Sequence, residues 1–131
     1  MNVSFFLTPK SDVAVIESEF TIKKAIETIH EKGFTAVPII NEEGKYLGTI
    51  TEGDFLWYIL KKGDVDEEDF TNTKVKDIKF HVKNQPVNIE ANMEDLFQVI
   101  LDQNFVPVVD DRQVFIGIVT RKDVIQYLGK K

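Results

Sequence analysis

An internal repeat constrains this chain more than any other feature it has. Val37-Pro38-Ile39-Ile40, Leu47-Gly48-Thr49-Ile50-Thr51 and Asp54 return as Val106-Pro107-Val108-Val109, Ile116-Gly117-Ile118-Val119-Thr120 and Asp123. Pro38 to Pro107, Gly48 to Gly117, Thr51 to Thr120 and Asp54 to Asp123 are each separated by the same 69 positions. Self-similarity at a fixed offset sets the architecture before any single motif is read. The chain has 131 residues, enough for one compact body with a real core. A half of about 60 residues is marginal by itself, so the halves are expected to need each other. Two copies of one small α/β unit, packed face to face, are predicted.

The elements of the unit follow from periodicity. Ile22, Ala25, Ile26 and Ile29 fall on one helical face, and Met93, Leu96, Phe97 and Ile100 repeat the stripe. Thr21 and Asn92 precede these stripes and are suited to cap them, because their side-chain oxygens accept first-turn amides. A short β-like segment leads each helix, Val13-Ala14-Val15-Ile16 and then Pro86-Val87-Asn88-Ile89. Strands are predicted over 35–40 and 46–51, and again over 105–109 and 114–120. Asn41-Glu42-Glu43-Gly44 and Asp110-Asp111-Arg112-Gln113 read as the hairpin turns. A second helix closes each unit, about 52–62 and 121–129, with Gly63 and Gly129 as stops. The unit is β-α-β-β-α, a mixed α/β (α+β) fold.

Composition excludes several function classes. A formal charge of −6 argues against a general nucleic-acid surface, which needs a basic face. No apolar run approaches the roughly 20 residues of a membrane span. Met1 to Leu7 lacks a basic start and small cleavage-site residues, so no signal peptide is expected. Absence of Cys removes disulfides and thiolate metal sites and suits a reducing cytoplasm. His30 and His81 have no partner at metal-ligand spacing, so neither a metal nor a cofactor is expected. Gly-x-Ser-x-Gly, phosphate-loop and His-Glu-x-x-His patterns are lacking, and Glu17, Glu19 and Glu90 form no paired geometry, so the chain does not read as an enzyme.

The repeated turn is where chemistry is expected. Thr120-Arg121-Lys122-Asp123 lies where a strand ends and a helix begins. Free amides and the positive end of the helix dipole favour phosphate there. The Thr120 hydroxyl adds a hydrogen bond, Arg121 and Lys122 add charge, and the Asp123 carboxylate suits the two hydroxyls of a ribose. Thr-x-x-Asp is also a helix capping box, in which the acid reaches back to the cap amide. A capped helix start still presents its hydroxyl and carboxylate, so the two readings are compatible.

Taken together, these residues resemble the tandem cystathionine-β-synthase (CBS) domain pair, the Bateman module, over about Thr8 to Leu128. The resemblance rests on the apolar-Pro-apolar-apolar strand and the Gly-x-apolar-Thr-x-x-Asp turn, each present twice in register. Gly33-Phe34-Thr35-Ala36-Val37-Pro38 and Gln113 to Arg121 are most similar to small stand-alone bacterial CBS-pair proteins, some of which bind cyclic di-AMP. It divides the chain into repeat one over 8–63, an acidic connector over 64–73 and repeat two over 74–131. It implies a pseudo-two-fold module that binds an adenine nucleotide (AMP, ADP, ATP or cyclic di-AMP) between its repeats, regulates an unidentified partner and pairs as a homodimer. In the family, the base is held by the first strand and pre-proline segment of one repeat, and the ribose and phosphate by the other. Carried onto this chain, that site comprises Val13, Ala14, Phe34, Thr35, Ala36, Ile118, Thr120, Arg121, Lys122 and Asp123.

The two copies differ at these positions. The first turn reads Thr51-Glu52-Gly53-Asp54, where Glu52 would repel phosphate and no base replaces Arg121 or Lys122. From helix stripe to proline, repeat two is two residues shorter, a loss expected near the counterparts of Thr35-Ala36. The opposite site, with Thr51, Asp54 and a bulky Phe105-Val106 segment, therefore reads as degraded. One nucleotide site per chain is expected; the alternative is an interaction module with a vestigial pocket. Phe34 suits either base stacking or the core. Phe55, Trp57, Tyr58 and Tyr127 suggest an aromatic surface for packing the halves or for the dimer.

Overall fold

The computed structural model describes residues 2–33, 35–78 and 84–130. Among these, the elements run β1 (Thr8–Pro9), β2 (Ile16–Glu17), α1 (Ile22–Lys32), β3 (Ala36–Ile40), β4 (Tyr46–Thr51), α2 (Glu52–Lys62) and α3 (Glu67–Asn72). They continue with β5 (Val87–Asn88), α4 (Met93–Ile100), β6 (Phe105–Val109), β7 (Phe115–Thr120) and α5 (Arg121–Gly129). They form two compact units, Ala14–Lys83 and a second made of Met1–Val13 with Asn84–Lys131.

The repeat is exact in register. β3 pairs antiparallel with β4, placing Ala36 opposite Thr51 and Pro38 opposite Thr49; β6 and β7 place Phe105 opposite Thr120 and Pro107 opposite Ile118. Both ladders shift at the same place, Ile39/Ile40 and Val108/Val109. The turns also match: Asn41 Oδ1 accepts from the amides of Glu43 and Lys45, both at 2.9 Å, and Asp110 Oδ1 from those of Arg112 and Val114 at 2.8 and 3.0 Å. Such side-chain-to-backbone bonds fix a tight turn locally, which is why the turns were legible.

The helix stripes face the cores except at Phe97, which is exposed, while Val99 packs against the second core in its place. Ile22, Ala25 and Ile29 are buried with Ile16, Val37, Ile39 and Ile50, while Leu96 and Ile100 are buried with Val87, Val106, Val108 and Val119. Thr21 and Asn92 cap their helices by accepting from Lys24 N–H and Asp95 N–H. Gly63 stops α2, but Gly129 lies within α5 and Lys130 caps it. The leading strands are shorter than expected, so Val13 and Ala14 precede β2 rather than belong to it.

Three features depart from a simple reading of the repeat. The two-residue loss in repeat two does not fall at Thr35-Ala36, since Ala36 and Phe105 hold equivalent ladder positions. It falls in the first helix, which runs eleven residues in α1 and eight in α4. The boundaries 8–63, 64–73 and 74–131 also differ from the compact units at both ends. The N-terminal residues join the second unit: β1 pairs antiparallel with β7, Thr8 opposite Ile118 and Pro9 opposite Gly117, with Val3 and Phe6 buried in its core. Tyr127 consequently packs edge-on against Phe5 and Phe6, with ring centroids at 5.2 and 5.4 Å.

The acidic connector is the third. It forms α3, started by a reciprocal capping box between Asp66 and Asp69, and Phe70 packs against the first core. Beyond it, 73–76 lies along 18–22: Ile22 N–H donates to Thr73 O, Val75 N–H to Phe20 O and Lys76 N–H to Ser18 O at 2.9–3.0 Å. Lys74 and Lys76 then close on Glu19 at 2.7 and 2.9 Å. Their hydrogen bonds and charge hold the Glu19 carboxyl down to about 2 from the ordinary 4.5. A lowered folded-state pKa means that the unfolded chain binds the proton more readily, so this contribution is complete above pH 4.5 and disappears as pH falls toward 2. Urea unfolding of Glu19→Gln against wild type should show a stability deficit at pH 7 that shrinks through this window. A deficit independent of pH would remove the assignment.

Candidate functional site

Each repeat presents one strand-to-helix turn and one sheet edge, and the two copies differ at both. In the first turn, Thr51 Oγ1 accepts from Asp54 N–H at 3.3 Å, and Asp54 Oδ2 accepts from Thr51 N–H at 2.8 Å. Thr51 Oγ1 lies a further 3.1 Å from the same carboxylate oxygen. The capping box is closed, and Asp54 is 1% exposed. An acid held in this way satisfies an otherwise orphaned amide and has little left to offer a ligand.

The second turn has the same residues in a different state. Thr120 Oγ1 accepts from Asp123 N–H at 3.1 Å, but the Asp123 carboxylate does not return to the cap. Asp123 is exposed, and its carboxylate has no hydrogen-bond or ion-pair partner among the described residues. Lys122 is also exposed and makes no ion pair among them. Of the first-turn amides, Arg121 N–H donates to Asn104 O at 2.9 Å and Asp123 N–H to the Thr120 hydroxyl, leaving that of Lys122 open among the described residues. A free amide, a lysine and an unpaired carboxylate at one helix start suit a phosphate beside a vicinal diol.

Arg121 is turned to other work. Its Nε donates to Ile100 O at 3.0 Å and its Nη2 to Leu101 O at 3.3 Å. These carbonyls close α4, whose end carries no glycine. In repeat one, Gly33 ends α1 in the left-handed region at φ 73°, and its amide donates to Ile29 O at 2.9 Å. Arg121 thus supplies in repeat two the stop that a glycine supplies in repeat one, and a cation also suits the negative end of the helix dipole. The guanidinium expected to clamp phosphate is largely committed to this structural role, so Arg121→Ala is not neutral to the fold.

The sheet edges carry the other half of the contrast. Glu52 N–H donates to Thr35 O at 3.3 Å, so the next pair, Ala36 and Thr51, is a non-bonded one and Ala36 O faces away from β4. The Ala36 carbonyl and both backbone groups of Ala14 accept or donate no hydrogen bond among the described residues. Ala36 and Ala14 are half-buried, and Ala14 packs against the first core. Ala14, Thr35 and Ala36 belong to the first unit, and Val13, Ile118 and Thr120 to Asp123 belong to the second. Val13 sits there because its amide donates to Lys10 O, in the 3-10 turn that follows β1. Phe34 and His81 lie outside the described residues.

The family described as the CBS domain matches residues 5–61 and again 75–130, taking in both turns and both edges. The chain belongs to the CBS domain family. Among solved CBS-pair structures, that of CbpB in complex with c-di-AMP has a TM-score of 0.90 and 28% identity, covering 99% of this chain and 85% of that one. The crystal structure of CBSX2 in complex with AMP has a TM-score of 0.75 and 25% identity, covering 98% and 96%. The chloroplastic CBS domain-containing protein CBSX1 of Arabidopsis thaliana is 26% identical, over 95% of this chain and 62% of its own length. The chain thus spans less than two thirds of that relative. No helix among the described residues is long and apolar enough to cross a membrane, and no group of three or more His, Asp or Glu among them could hold a metal ion.

Proposed function

We propose that this CBS pair is a non-catalytic cytoplasmic sensor that binds one adenine nucleotide per chain. The base lies against the Ala14 and Ala36 edge, with Val13, Phe34 and Thr35 around it. The ribose hydroxyls go to Asp123, the phosphate to the Lys122 amide and ammonium and the Thr120 hydroxyl, and Ile118 supports the turn. Arg121 contributes through the guanidinium hydrogens that α4 does not use. The observation that carries this reading is the Asp123 carboxylate, without a partner among the described residues, set against the locked Asp54 of the other repeat. The complexes of CbpB with c-di-AMP and of CBSX2 with AMP support the ligand class. Binding would signal by favouring one conformation, to the extent that the nucleotide prefers it.

The exposed apolar residues Leu56 and Leu60 of α2 and Ile125 and Leu128 of α5, each at least half exposed, support pairing with a second copy. Calorimetric titration with AMP and with cyclic di-AMP, accompanied by sedimentation, tests both parts. One adenine nucleotide bound per chain, with affinity lowered about 10-fold or more by Thr120→Ala, is expected. Binding by neither nucleotide would favour the interaction-module alternative, and a monomer at all concentrations would remove the dimer.

A further inference from the structure

We infer that Gln103 is a built-in imitation of a nucleobase, which occupies the base-reading edge of repeat two and keeps it closed. The inference rests on the reading of the Ala14 and Ala36 edge as a base site, and it explains why its twin is unused.

By ladder position, Gln85 in repeat two corresponds to Ala14, and Phe105 to Ala36: β5 meets β6 at Val87 and Val108 as β2 meets β3 at Ile16 and Ile39. The edge groups of Ala14 and Ala36 have no partner among the described residues, whereas their counterparts are all taken. Gln103 Oε1 accepts from Gln85 N–H at 2.8 Å, and Gln103 Nε2 donates to Gln85 O at 3.3 Å and to Phe105 O at 3.1 Å. One carboxamide therefore satisfies the same donor and two acceptors that have no partner among the described residues in repeat one.

The match is chemical as well as geometric. A primary amide carries an acceptor oxygen beside an N–H₂ donor, the alternation that adenine presents with a ring nitrogen beside its exocyclic amine. Asn84 Nδ2 adds a longer contact to Phe105 O at 3.5 Å. The repeat places Phe34 at the position of Gln103, and a phenyl side chain has no group able to make these bonds. At this one repeat position the side-chain chemistry thus differs, and only Gln103 is able to fill such an edge with hydrogen bonds.

Stoichiometry of adenine binding tests this on the full chain. Gln103→Ala should bind one more adenine base per chain than wild type in calorimetry extended to about 1 mM ligand, a probe with no phosphate for Glu52 to repel and no ribose for the locked Asp54. Gln103→Met keeps the length of the side chain and removes its hydrogen bonds, so it serves if the alanine variant does not fold. The gain relative to wild type is what tests the Gln103 assignment, whereas the wild-type count by itself tests the proposed function. A folded variant with the wild-type count would overturn the inference, and so would a wild-type chain that already fills two sites.

Discussion

Replacing Gly117 with alanine is expected to lift the N-terminal segment off the second unit and destabilise it by about 3 kcal/mol or more. A Cβ at this position would lie 2.2 Å from Thr8 O, 2.7 Å from Leu7 Cδ1 and 3.1 Å from Pro9 Cα. The first and last of these neighbours are backbone, so a rotamer change does not relieve the clash. β1 must therefore move as a strand, and its hydrogen bonding to β7 goes with it. Val3 and Phe6, 0% and 7% exposed, hang on the same segment, and burying each such side chain is worth about 1.5–3 kcal/mol. Urea unfolding measures the loss. A midpoint within about 0.5 kcal/mol of wild type would mean that β1 is not held against Gly117 as described.

The second expected result is a crossed pair of effects from one substitution made at equivalent positions. Asp54→Ala removes a 1% exposed carboxylate that accepts from the Thr51 amide, leaving a partly buried donor without its partner. The cost is about 2 kcal/mol of stability, combining a lost cap with an unsatisfied amide. Nucleotide affinity should change little. Asp123→Ala removes an exposed carboxylate with no partner among the described residues, so stability should stay within about 0.5 kcal/mol. Affinity for AMP should instead fall about 10- to 100-fold, the loss of hydrogen bonds from ribose hydroxyls to a charged acceptor. Thermal unfolding and calorimetry on both variants read the two axes separately. Equal affinity losses from the two variants would abolish the proposed asymmetry, and a stable Asp54→Ala would contradict the closed box.

Much of the fold was legible because its signals are local. The stripes Ile22-Ala25-Ile29 and Leu96-Ile100, the caps Thr21 and Asn92 and the Asx turns at Asn41 and Asp110 act within one or two turns of chain. In the acidic connector the local signal is the Asp66-to-Asp69 spacing, which suits the capping box that starts α3. Sequence shows Arg121 only as a base beside a helix start, which suits phosphate, while its partners Ile100 O and Leu101 O lie 21 and 20 residues earlier, at the end of α4. The missing glycine at that helix end was the available clue.

The sequence by itself determined the duplicated β-α-β-β-α unit, the register of its hairpins and the type of residue at each strand-to-helix turn. These depend on period, offset and backbone chemistry, and identical spacing gives identical ladders. Only the tertiary structure decided that β1 (Thr8–Pro9) joins the second unit's sheet, because edge pairing joins segments about a hundred residues apart. It also decided that Asp54 turns inward and Asp123 does not, and that Gln103 bonds to the backbone edge of Gln85 and Phe105. The same Thr-x-x-Asp letters permit both side-chain states, and burial and neighbouring carbonyls select between them.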